Sequence, residues 1–120
     1  MQEISETILS LAQKYNVSVS RCPCCDPNQG GSCGTDTIFL GEFDDPDLEL
    51  TAFFHELGHT QAAQTKRKYY LNKISEEGHA WELGLDLALE NGYIWEPGSK
   101  EYEYAKECLL SYKENEYNWG

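Results

Sequence analysis

The chain has 120 residues, 40% of them hydrophobic and 25% charged, and carries a formal net charge of −12. That size and balance predict one globular domain, residues 1–120, with no room for a second, and no apolar run approaches the ~20 residues that span a bilayer. The acidity argues against a nucleic-acid partner, whose phosphates need a basic surface, and against anionic membranes; a basic protein segment suits it better. The start, Met1-Gln2-Glu3-Ile4-Ser5-Glu6, lacks the basic opening and long apolar core of a signal peptide, so the expected location is the cytoplasm.

Ile4, Ile8, Leu11 and Tyr15 recur at helical spacing over 3–15, and Asn16 ends that helix. Val17-Ser18-Val19-Ser20 alternates as a short strand. From 21 to 35 the chain is rich in Cys, Pro, Gly, Asn and Asp and reads as a loop. Thr37-Ile38-Phe39-Leu40 is a second strand, stopped by Gly41, and the two strands are expected to pair antiparallel across the loop.

Asp45 is a suitable N-cap and Pro46 a suitable first position for a helix over 46–65, in which Leu50, Phe53, Phe54 and Leu57 continue the pattern. Lys66-Arg67-Lys68 forms a basic link, read as a solvated turn. A third helix spans 75–91, with Gly92 as its stop. Ser99 caps a fourth, on which Tyr102, Ala105, Leu109 and Tyr112 share a face. The order is helix, small antiparallel sheet, then three helices: an α+β fold.

Five cysteines are present, and Cys22, Cys24, Cys25 and Cys33 crowd into twelve residues. Their spacing fits no zinc-ribbon pattern well. A second, structural metal completed by Cys108, one or more disulfides, and free thiols are the three expectations.

The run His55-Glu56-Leu57-Gly58-His59 carries the chemistry. Residues four apart on a helix lie one above the other, so His55 and His59 can bind one Zn²⁺ through neutral imidazole nitrogens. Glu56 projects towards the next coordination position. Zinc lowers the pKa of a bound water to roughly 7, and the glutamate can then take its proton as general base. Two imidazoles and a carboxylate on so apolar a segment are costly unless something satisfies them.

A hydrolytic zinc usually has a third protein ligand. The metzincin pattern would supply a glycine and a further histidine where this chain has Ala62 and Thr65, so a carboxylate from another helix is expected. Glu77 shares a face with Ala80, Trp81, Gly84 and Ala88, and the small residues there allow close helix approach. Glu76, Glu82 and His79 are the alternatives. His79 could also act behind the ligands or polarise the substrate carbonyl, as could Tyr69, Tyr70 or Tyr93. The strand over Thr37–Leu40 could serve as the sheet edge on which an extended peptide pairs.

The segments F-F-H-E-L-G-H and E-E-G-H-A-W-E-L-G together resemble the ImmA/IrrE class of small zinc metallopeptidases, within the gluzincin-like HExxH…E group. The layout of residues 1–90 matches that class, with a helix and short sheet before the zinc helix. The resemblance implies His55, His59 and Glu77 as zinc ligands and Glu56 as the base. Leu83-Gly84 stands where the class often has F-A, and the cysteine loop is foreign to the pattern. The E-E-x-x-A segment also resembles the peptidase-like domain of antirestriction proteins from phage or mobile elements. Two functions compete: a zinc metallopeptidase of narrow specificity, and a non-catalytic, zinc-containing acidic module that binds a regulator or imitates nucleic acid. The intact Glu56 favours the first, since metal binding alone tolerates other residues there.

Overall fold

A computed structural model of the chain describes residues 3–22, 26–64 and 73–117, with the side chains of 73–76 and 111–117 excepted. They form four helices and a three-stranded sheet: α1 (Glu6–Lys14), β1 (Ser18–Arg21), β2 (Gly30–Cys33), β3 (Thr37–Leu40), α2 (Pro46–Gln64), α3 (Lys73–Glu90) and α4 (Lys100–Tyr117). The α+β class and the order of helix, strands and three helices stand as the sequence predicts. Among the described residues, no helix is long and apolar enough to cross a membrane.

The two expected caps, Asp45 and Ser99, are in place, and Ser5 adds a third. Ser5 Oγ accepts from Ile8 N at the head of α1, Asp45 Oδ1 accepts from Asp47 N at the head of α2, and Ser99 Oγ accepts from Tyr102 N at the head of α4. Each satisfies an amide that the first helical turn leaves without a partner. Asn16 and Gly92 end their helices with positive φ, at 57° and 88°.

The sheet departs from expectation. Its order is β1-β3-β2, with β1 parallel to β3 and β2 antiparallel to β3. β2 lies inside the segment that composition marks as loop, because Gly30-Gly31-Ser32-Cys33 has none of the β-branched or aromatic residues that announce a strand. The turn between β2 and β3 is short, and Gly34, at φ 66°, takes the left-handed conformation it needs. The 22–29 connection skips one strand position, and β3 fills the gap. β1 and β3 therefore run the same way, and the antiparallel pairing expected between them goes to β2.

β3 is the central strand, and its Ile38 and Leu40 are fully buried. Beneath it runs α2, in which all residues from 51 to 58 are buried. A helix covered on every face shows no single apolar stripe, and its polar residues Thr51, His55 and Glu56 are themselves buried. Glu49 is the cost of that position. Its carboxylate is buried and paired at 2.6 Å with Arg21 Nη1, which also donates to Gly41 O. The pair ties the end of β1 to the first half of α2.

α2 and α3 approach closely through glycine. A Cβ on Gly58 would overlap the carbonyl oxygen of Ala80, and one on Gly84 would stand 2.8 Å from that of Phe54. The small residues expected to admit α3 do so at Gly84, and Gly58, the fourth residue of the His55–His59 run, does the same from the other side.

Candidate metal centre

α2 presents His55 and His59 one turn apart on one face, with ring centroids 4.6 Å apart. α3 brings Glu77 between them. Glu77 Oε1 lies 3.2 Å from His55 Nε2, and its Oε2 lies 2.6 Å from His59 Nε2. One donor atom from each of the three falls within 4.8 Å of the others, and among the described residues this is the only group of His, Cys, Asp and Glu so gathered. Glu77 is 2% exposed.

These donors suit zinc. Two imidazole nitrogens and a carboxylate are the set of a hydrolytic site, and tetrahedral bonds of about 2.0–2.1 Å place ligands about 3.3 Å apart. The His55–Glu77 contact already has that spacing. The His59–Glu77 contact is a hydrogen bond that must lengthen to admit an ion.

Burial alone would raise the Glu77 pKa. Hydrogen bonds from His55 and His59, and their charge, outweigh it and hold the carboxyl well below the usual range. Glu77 is therefore ionised and ready to ligate. Glu56 behaves in the opposite way. Burial raises its pKa, the charges of His55 and His59 oppose the rise, Glu77 adds to it, and the Ser32 hydroxyl favours the ionised form by donating to it. Two carboxylates on one site are thus pushed in opposite directions, the pattern that separates a ligand from an acid–base group.

His55 is also positioned by stacking. Its ring lies on the Trp81 indole with centroids 4.0 Å apart and planes 18° from parallel. A liganding histidine commonly donates its second N–H to an oxygen, but His55 Nδ1 is buried with no such partner among the described residues. The indole fixes the ring instead.

The alternatives for the third position fall elsewhere. Glu82 is exposed, and the side chain of Glu76 lies outside the described residues. His79 is half-buried on α3 and is not one of the three residues whose donor atoms gather. Tyr93 packs against Phe54 and lines a separate pocket with Asp47 and Trp95. Tyr69, Tyr70 and the basic link Lys66-Arg67-Lys68 lie outside the described residues.

The cavity at the metal group holds about 190 Å³ and is lined by His55, Glu56, Glu77, Trp81 and Gly30, together with Tyr104, Glu107 and Cys108 of α4. The residues from α4 and β2 were not expected here. Tyr104 stands beside Phe43 and Trp81, one position off the helix face read from sequence. Its four-residue spacing to Cys108 is the signal that could have revealed this face.

Of the three expectations for the cysteines, free thiols hold at Cys33 and Cys108. The register places Cys22 beyond the Leu40 end of β3 and Cys33 beside Thr37 at the other end, about 13 Å away by strand rise. A disulfide needs Cα atoms within roughly 7 Å, so Cys22 and Cys33 share neither a bond nor an ion. Cys24 and Cys25 lie outside the described residues. Cys33 and Cys108 are free thiols, and Cys108 joins the metal cavity rather than the cysteine loop.

Comparison with protein-family models, with curated proteins and with solved structures finds no match.

Proposed function

We propose that the chain is a zinc-dependent metallopeptidase of the ImmA/IrrE kind, and that His55, His59 and Glu77 hold the ion. One observation carries the reading. Two histidines of one helix and a buried glutamate of another converge on a common point, and Glu56 opens into the same cavity. Zinc bound there would polarise the scissile carbonyl and acidify the attacking water. Glu56, its pKa raised chiefly by burial, would take the water's proton and return it to the departing amine. Ser32 holds the Glu56 carboxylate in place.

β2 replaces β3 as the strand that an extended peptide would join. β3 is flanked on both sides, whereas β2 is a sheet edge and passes over Glu56 at Gly30, where a Cβ would come within 3.4 Å of Glu56 Cγ. A basic segment of a protein is the substrate class that the net charge of −12 favours. The free thiols at Cys33 and Cys108 support a reducing, cytoplasmic setting.

The test combines metal analysis with a search for cleavage. Wild-type protein should hold about one zinc per chain. Glu56→Gln should retain the zinc, and Glu77→Ala should bind it at least tenfold more weakly. A proteome-derived peptide mixture, read by mass spectrometry, should acquire new termini with wild type and none with Glu56→Gln. Full zinc affinity in Glu77→Ala would remove that ligand, and equal cleavage by Glu56→Gln would reject the base.

A further inference from the structure

The cavity at the metal group is too small for the substrate proposed above. Pockets that enclose even drug-sized ligands hold about 300–1,000 Å³, and this one holds about 190 Å³. An extended peptide lying across Glu56 and the three ligands needs more room, and the wall supplied by Tyr104, Glu107 and Cys108 occupies it.

α4 is the least buried of the four helices among the described residues. None of its described side chains, from 100 to 110, is fully buried. The fully buried core is built without it; Tyr104, partly buried, packs against that core from outside. Its seam with α3 is incompletely filled. An apolar groove of about 480 Å³ lies between the two helices, lined by Trp81, Leu85, Trp95, Tyr102 and Leu109 among others. Trp81 is common to this groove and to the metal cavity, so the helix rests on a narrow strip with open space on either side.

A few polar contacts hold it there. Lys100 Nζ reaches Asp45 Oδ2 at 2.9 Å and Asp47 Oδ2 at 2.8 Å, both at the head of α2. Tyr104 OH donates to Asn28 O at 2.9 Å. The Lys100 pairs are solvent-exposed, and such pairs contribute little. An element with little burial and exposed attachments opens at low free energy.

We propose that α4 is an autoinhibitory lid: docked, it narrows the cavity at His55, Glu56 and Glu77; swung outward on its attachment after Ser99, it uncovers those side chains and Gly30 of β2 together. The need for opening rests on the peptidase reading, whereas the opening itself follows from the packing. Cys108 sits on the inner face of the lid and reports its position.

The experiment follows alkylation of the folded, metal-loaded protein by iodoacetamide, resolved by peptide mass, with exposed Cys33 as the internal reference. Cys108 should react more slowly than Cys33. Its rate should rise about threefold in Lys100→Ala, the scale of an exposed ion pair, and about fivefold in Tyr104→Phe, the scale of one hydrogen bond, while Cys33 stays unchanged. Low urea, below the unfolding transition, should alter the Cys108 rate only slightly. An unchanged Cys108 rate in both folded variants overturns the lid, and so does a urea dependence as steep as that of global unfolding. Alkylation is read without turnover, so the result holds whether or not cleavage is found.

Discussion

Glu56 is a carboxylate placed where its charge is poorly solvated, and the fold is weakened by holding it there. Its pKa in the folded chain lies above the ordinary 4.5, chiefly through burial. The sign follows. The stability linked to this group is fully present below pH 4.5, where Glu56 is protonated whether the chain is folded or not. It is lost as pH rises through the elevated folded value. Glutamine keeps the shape without the ionisation. The chelator-treated Glu56→Gln protein should therefore melt above chelator-treated wild type at pH 7, and the two should converge near pH 4. Thermal denaturation across that range checks this, and a variant that melts lower at pH 7 contradicts the account. The residue that a base most needs is thus one that stability would discard.

Helices α2 and α3 make a site only because they lie nearly in contact. Glu77 reaches the two imidazoles because Gly58 leaves no side chain between its own backbone and the Ala80 carbonyl. Gly58→Ala places a methyl group against a backbone oxygen that cannot rotate away, so the helices must part or shift. Overpacking of this kind costs about 1–3 kcal/mol. Glu77 would retreat from His55 and His59 with its helix. The variant should unfold at lower denaturant concentration than wild type and bind zinc at least tenfold more weakly. Unchanged zinc affinity would mean that Gly58 has no part in setting the helix separation. The glycine between Leu57 and His59 is thereby explained by packing rather than by helix propensity, which it lowers.

For the molecule as a whole, the proposed ion is a cross-link between α2, at the centre of the fold, and α3, which follows it after the segment 65–72. A ligand that binds only the folded chain stabilises it by about 4 kcal/mol at a thousandfold excess over its dissociation constant. Zinc removal should lower the melting temperature by more than about 10 °C in a domain of this size, and added zinc should restore it. Calorimetry with and without chelator measures this, and identical melting curves would show that the ion carries no such tie. The fully buried apolar core, from Ile8 of α1 to Ala88 of α3, does not involve the ion, so the metal-free protein should still fold.

Local patterns in the sequence were enough to place the first three helices and the start of the fourth to within a few residues, because caps and stops act within one turn. Asp45 and Ser99 begin helices, and Asn16 and Gly92 end them, wherever the rest of the chain lies. The pairing of His55 with His59 was equally legible, since four residues on a helix bring two side chains together without help from elsewhere. Glu77 was legible in part, through the small residues on its face. Only the tertiary structure decided the rest. β2 has no strand-forming residues and exists because β3 needs a partner, and the direction of β1 depends on a connection long enough to skip a strand. Trp81 against His55, Ser32 on Glu56, and Tyr104 with Cys108 over the cavity come together from separate elements. Local sequence sets what a segment becomes through contacts a few residues long. Which segments meet is set by the burial that all of them achieve together.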